Sequence, residues 1–410
     1  MPPRLVSFLG LLAMLAIAWL LSEKRGKINL RLVLSGVGLQ LLLGVVLLWS
    51  PPGRGFFERA RLFIEGVLEC SDAGAQFVFG STFWNGAVFP DGPPFAVRVL
   101  PTVIFFSSLT AVLFHLGVLQ WLVRIFARAM VWVMDTSGSE SLCTAANVFI
   151  GMTTAPLTVR PYLQSMTRSE LMAMMTGGMA TVAGGTMAAY AAMGANAGHL
   201  MVASLMSAPA ALVVAKIMVP ETELSPTKGV VRIDVPRQDA NVIDAACRGA
   251  GEGLKLALNI AAMLIAFIAL VTLVNWGLGW LPDWLGEPLT LQRILGWLGA
   301  PLAWLMGVTW ADAPEVGTLL GEKTILNEFV AYKSLTQPAV REAIDPRSFT
   351  IATYALCGFA NFGSIAVMVG GIGALVPDRR GDFARFGLRS LIAGSLAAFM
   401  TASIAGMLIP

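Results

Sequence analysis

Ionisable side chains are scarce in this chain of 410 residues: 13% are Asp, Glu, Lys or Arg, where an ordinary soluble domain has about 25%. Histidine is scarcer still. His115 and His199 are the only two, too few for a histidine-rich metal centre or a Ser-His-Asp hydrolase, and each reads as a packing residue. The four cysteines, Cys70, Cys143, Cys247 and Cys357, lie far apart without CxxC spacing, so neither a disulfide framework nor a zinc cluster is suggested. A net charge of +3 with no basic tail, and no basic patch interleaved with aromatics, points away from nucleic acid as a partner. What is abundant is apolar: 56% of residues are hydrophobic and the mean hydropathy is +0.73. The fold class is an all-α polytopic membrane protein.

A helix needs about 20 apolar residues to cross roughly 30 Å of hydrocarbon. Eight runs meet or approach that length: 5–22, 32–50, 98–123, 171–193, 200–219, 254–275, 350–376 and 388–409. The first exceeds the 7 to 15 residues of a signal-peptide core and is followed by a basic cluster, so a retained helix is expected. A polar stretch, 219–250, divides the chain into halves. Lys24, Arg25, Lys27 and Arg31 in one short loop, and Arg379, Arg380, Arg385 and Arg389 in another, predict that both loops are cytoplasmic and that the termini face outward. Arg54, Arg59 and Arg61 fit this if 56–70 is an interfacial amphipathic helix with Phe56, Phe57, Leu62, Phe63 and Val67 on its apolar face.

Stretches 141–163, 291–309 and 313–335 are apolar but broken by Gly, Pro and polar residues. Broken backbone is tolerated at membrane depth only where protein buries it or it lines an aqueous cavity. These stretches therefore read as re-entrant hairpins, the last two flanking Gly307–Pro314. The halves share a spacing: 33 residues separate Thr153 from Thr186 in the first, and Glu328 from Asn361 in the second. Hairpin, interrupted helix and plain helix recur in that order, as in secondary transporters built from repeats with a midplane site. Small residues that merely permit close helix packing are the plainer alternative. Glu328 is the strongest site candidate, because a carboxylate at membrane depth costs roughly 2.5 to 17 kcal/mol and usually serves a substrate or ion path.

The segment Gly321-x-Lys323-x-x-x-Asn327-Glu328-Phe329-Val330-Ala331-Tyr332 resembles the signature of the concentrative nucleoside transporter family. Arg98–Ser107, Ala145–Gly151 leading into Ala155-Pro-Leu, and Cys357-Gly-Phe-Ala-Asn361 agree with it, and the resemblance extends from the first helix to the last. It implies eight transmembrane helices plus two re-entrant helical hairpins, an inverted-repeat transport domain moving like an elevator on a trimeric scaffold, and ion-coupled import of nucleosides across the inner membrane. Sodium is the expected coupling ion, with protons used by some members, and no organic cofactor is implied. Mapped onto this chain, 1–55 holds peripheral transmembrane helices and 56–137 an interfacial helix and the first scaffold helix region. Residues 138–219 form the first hairpin and broken-helix repeat, 220–285 the polar loop and second scaffold helix, and 286–410 the second repeat.

By the same resemblance, Glu328, Asn361 and Ser364 match positions that bind ribose hydroxyls, which suits an ionised acceptor beside a group that both donates and accepts. Phe359 matches an aromatic beside the base. Asn147, the Ile150 carbonyl, Thr181 and the Val182 carbonyl match sodium-coordinating positions, oxygen ligands suited to a hard cation. The departure is at the base: where most members read Gly-Gln-[Thr/Ser]-Glu, this chain reads Gly151-Met152-Thr153-Thr154, and Thr186 replaces a small residue such as Val. The lost amide and carboxylate predict an altered base preference, since Met adapts to irregular surfaces. Another polyhydroxylated cargo, or a channel, would be the competing functions; no nucleophile-base pair for an enzyme is visible, and neither is a filter segment for a channel.

Overall fold

The computed structural model describes residues 2–89, 92–229, 239–282 and 288–409, with backbone alone at 52, 54, 56 and 60. Among them the regular structure is helical. The first half runs α1 (Pro3–Leu20), α2 (Leu30–Leu48), α3 (Pro51–Phe79), α4 (Phe95–His115), α5 (Val118–Met134), α6 (Gly138–Ile150), a 3-10 segment Ala155–Tyr162, α7 (Arg168–Ala180), α8 (Gly184–Ala192) and α9 (Ala197–Met218). The second half runs α10 (Val242–Leu278), α11 (Leu291–Leu305), α12 (Ala313–Ile325), α13 (Glu328–Leu335), α14 (Pro338–Ala343), α15 (Pro346–Leu356), α16 (Phe362–Leu375) and α17 (Arg380–Leu408).

Among the described residues, six helices are long and apolar enough to cross a membrane: α1, α2, α4, α9, α10 and α17 with its lead-in from Pro377. They differ sharply in burial. The apolar windows of α9 and α17 are 89% and 83% buried, those of α4 and α10 only 33% and 17%. The core is therefore built around α9 and α17, on which α7 and α15 pack, while α4 and α10 pair to form an outer wall.

Runs 171–193 and 350–376 are each two helices with an unwound joint. α7 ends where Thr181 turns extended (φ −112°, ψ 163°), and α8 restarts at Gly184. α15 ends at Cys357 and Gly358, whose φ of +130° only glycine adopts without strain. α16 restarts after Asn361, whose side chain caps its first turn. The two joints touch: a Cβ on Gly358 would lie 2.8 Å from the carbonyl oxygens of Met179 and Ala180.

The first hairpin descends through α6, turns at Gly151 (φ +81°) and returns through the 3-10 segment. Its base is held by buried charge. Glu140, in the first turn of α6, accepts from the Ser137 backbone amide (2.8 Å) and lies 2.7 Å from the Lys216 ammonium. Glu170, capping α7 in the same way, accepts from the hydroxyls of Ser139 (3.1 Å) and Ser225 (2.5 Å).

Four expectations are corrected. The run 98–123 is not one span, because Gly117, left-handed at φ +81°, separates α4 from α5. Stretch 291–309 is not re-entrant: α11 is one continuous helix, and the second hairpin is 313–335 alone, turning at Leu326–Asn327. Glycines explain the error. Cβ atoms on Gly296, Gly299 and Gly317 would come within 2.5 to 2.8 Å of the opposing backbone, so α11 lies almost backbone to backbone on α12, at about 1.5 Å per residue too short to cross the membrane. The amphipathic segment 56–70 belongs to the longer α3, and Phe56 lies outside the described side chains. The polar stretch 219–250 is shorter than expected, since α10 begins at Val242; Arg232, Asp234, Pro236 and Arg237 lie outside the described residues.

Candidate functional site

Glu328 is the first residue of α13, directly after Asn327, whose side-chain oxygen accepts from the Val330 amide (3.0 Å) and so caps the helix. Asn361 does the same for α16, accepting from the Ser364 amide (2.8 Å). Two helix N-termini thus meet at one point, and each favours negative charge there. The Asn361 amide nitrogen spans the junction and donates to the Glu328 carboxylate (2.7 Å). Glu328, Asn361 and Ser364 are only 3%, 4% and 4% exposed. Of the two 33-residue intervals read in the sequence, the one from Glu328 to Asn361 is a physical contact joining hairpin and broken helix.

Lys323 does not pair with this carboxylate. Its buried ammonium donates to the Ala355 carbonyl (2.9 Å), in the last turn of α15, where carbonyls lack helical partners and the dipole favours a cation.

A cavity of about 640 Å³ opens beside the clasp, lined by Glu328, Asn361 and Ser364 together with Met152, Thr153, Thr154, Thr186 and Phe359. The structure therefore brings the expected sugar-side and base-side residues to one space. Met152 and Thr154 are half-buried, and Thr153 is exposed at the hairpin tip. Thr186 offers less than its hydroxyl suggests, because it donates to the Ala183 carbonyl (2.9 Å).

The four expected cation ligands lie where hairpin and broken helix adjoin. The tip of α6 is pressed against the α7–α8 joint: a Cβ on Gly151 would stand 2.8 Å from that of Ala183, and one on Gly184 would stand 3.6 Å from the Phe149 carbonyl. Ile150 is the last residue of α6, so its carbonyl is among those the helix leaves unbonded. The Asn147 side-chain oxygen is buried with no hydrogen-bond partner among the described residues. Thr181 donates to the Gly177 carbonyl (2.8 Å), leaving its oxygen lone pairs, and the Val182 carbonyl accepts from Ser204 (3.0 Å). This is an all-oxygen donor set with one orphaned acceptor, which fits a small hard cation.

Two contributors escaped the sequence reading. The Asn327 amide nitrogen is buried at the cavity with no partner among the described residues, a donor a ligand can satisfy. Its place beside Glu328 was the available signal. Tyr190 of α8 stacks on Tyr332 (4.3 Å between centroids) and meets Phe329 edge-on (5.0 Å), with its hydroxyl buried beside Glu328. This aromatic cluster ties the first broken helix to the second hairpin; no local pattern announced it.

Comparison with known proteins agrees with this geometry. Residues 9–82 and 199–406 match the family models described as Na+ dependent nucleoside transporter N-terminus and C-terminus, and 96–197 match one described as nucleoside recognition. An uncharacterized transporter of Bacillus subtilis is 42% identical over 98% of both chains. Sodium/nucleoside cotransporter 1 of Rattus norvegicus is 41% identical over 99% of this chain and 64% of its own longer one. The structure of CNTnw in an inward-facing substrate-bound state superposes with a TM-score of 0.92 at 43% identity, covering 99% and 98% of the two chains. An outward-facing variant of CNTnw superposes at 0.94. With a paired carboxylate and carboxamide where two broken elements meet, and matches of this extent along its whole length, the chain belongs to the concentrative nucleoside transporter family.

Proposed function

We propose that this protein is a secondary active importer of nucleosides or closely related solutes, driven by sodium and working by alternating access across the inner membrane. The observation that carries the reading is the clasp of Glu328 and Asn361, held at 2.7 Å and facing a 640 Å³ cavity. A carboxylate can accept from vicinal ribose hydroxyls, while Asn361, Ser364 and the unpartnered Asn327 amide can complete the polar contacts. In this reading Met152, Thr153, Thr154, Thr186 and Phe359 surround the base, and the weakly polar hairpin tip tolerates bases that a Gln and Glu would discriminate against.

Sodium would be held by Asn147, Thr181 and the carbonyls of Ile150 and Val182, tying cation binding to the joint that shapes the base side. Six continuous crossings and the broken pairs α7–α8 and α15–α16 make up eight in this scheme. Segments 138–219 and 286–410 form the moving body; α3, α4 and α10 belong to the frame, through which three copies assemble. Uptake of radiolabelled nucleosides into proteoliposomes should require an inward sodium gradient. Uptake indifferent to that gradient would reject the coupling, and no uptake of any nucleoside would reject the cargo.

A further inference from the structure

The outer wall carries polar chemistry that the clasp does not use. Along α10, Arg248, Glu252, Lys255 and Asn259 recur at intervals of four, three and four residues, the spacing of one helix face, and all four line the cavity. A neighbouring face is pressed on α4: a Cβ on Gly249 would approach the Ser107 carbonyl at 2.7 Å, and one on Gly253 would approach the Ile104 Cα at 2.8 Å. The polar stripe lies clear of this contact and borders the cavity.

The stripe has two parts. At the mouth, Arg248 is committed: it donates twice to Asp239 (2.6 and 2.9 Å) and once to Glu252 (2.8 Å), and its hydrogen bonds hold the Asp239 carboxyl below the ordinary range. Further in, Lys255 and Asn259 are exposed to the cavity and have no hydrogen-bond or charge partner among the described residues. Both stand in the first turns of the apolar run 254–275, where a polar group without a protein partner is available to a solute in the cavity.

We infer, resting on the nucleoside reading above, that Lys255 and Asn259 form an outer subsite that reads the base edge of a nucleoside passing between the clasp and the mouth. The ammonium only donates, whereas the carboxamide both donates and accepts. One turn apart on the same face, they complement an edge with a carbonyl beside a ring N–H, as in uracil or hypoxanthine. With the ammonium set against the exocyclic group and the carboxamide against the ring nitrogen, an amino group there, as in cytosine or adenine, would set a donor against the ammonium. The wall thereby supplies selection that Met152 and Thr154 at the hairpin tip do not.

The test is uptake of uridine, inosine, cytidine and adenosine by the full-length protein in proteoliposomes, comparing wild type with Lys255→Met, Lys255→Arg and Asn259→Leu. Wild type should favour uridine and inosine. Lys255→Met and Asn259→Leu should each erode that preference by roughly ten-fold, the factor equivalent to about 1.4 kcal/mol, and Lys255→Arg should largely retain it. Melting temperatures near wild type establish that the variants are folded; should one not fold, the others carry the comparison. Nucleoside uptake with an unchanged rank order in the folded variants overturns the subsite alone. Absence of nucleoside uptake by wild type overturns the cargo and the subsite together.

Discussion

The two repeats place similar backbone breaks around one cavity but furnish them differently. The second offers a charged clasp, Glu328 with Asn361 at 2.7 Å, at two capped helix starts. The first offers Met152, Thr153 and Thr154 at a tip without a carboxylate, backed by an orphaned Asn147 oxygen. Their far ends differ as well. In the first repeat a buried ion pair, Glu140 with Lys216, fixes the hairpin base. In the second, Arg347 donates to the Ile409 carbonyl at 2.8 Å and to the Gly406 carbonyl, closing the end of α17. Shared backbone geometry therefore brings both joints to one cavity, while the side chains at each joint differ.

The largest effect is expected at the base of the first repeat. Lys216→Ala leaves Glu140 buried and uncompensated, and should cost about 3 to 5 kcal/mol of stability, read as a fall in melting temperature in detergent. A loss no larger than for a surface lysine would mean that the first repeat does not depend on this pair.

Next comes the clasp. Glu328→Gln keeps the shape but removes the anion, so substrate affinity should fall about ten- to hundred-fold while the melting temperature without ligand changes little. Isothermal titration checks the first, and unaltered affinity would make Glu328 structural. Asn147→Ala removes one oxygen ligand, so the half-saturating sodium concentration should rise about ten-fold, while stabilisation by substrate at saturating sodium is kept. The smallest effect is expected at the tip. Met152→Gln with Thr154→Glu should shift the ranking of bases several-fold without altering the preference for ribose over deoxyribose, as uptake competition would show.

Much of this contrast was legible in the sequence. Glu328 stands out in an apolar run, and its 33-residue interval to Asn361 anticipates a real hydrogen bond. The joints at Thr181 and Gly358 announce themselves because helix-weakening residues act locally. What stayed hidden depends on partners distant in sequence. Stretch 291–309 reads as broken, yet α11 is continuous because glycines on both sides let it rest on α12. Tyr190 looks like any aromatic until Tyr332 and Phe329 come against it. The α10 stripe is visible as spacing, but only the folded structure shows that it borders the cavity.

The central claim is that the second repeat holds the sugar. Its most direct test is binding of uridine, 2′-deoxyuridine and 3′-deoxyuridine to wild type and to Glu328→Gln, measured by isothermal titration in saturating sodium. The account predicts that wild type binds uridine at least about ten-fold more tightly than one or both deoxy analogues, and that Glu328→Gln abolishes this discrimination. Equal affinity of wild type for all three ligands, or discrimination that survives in Glu328→Gln, would contradict it.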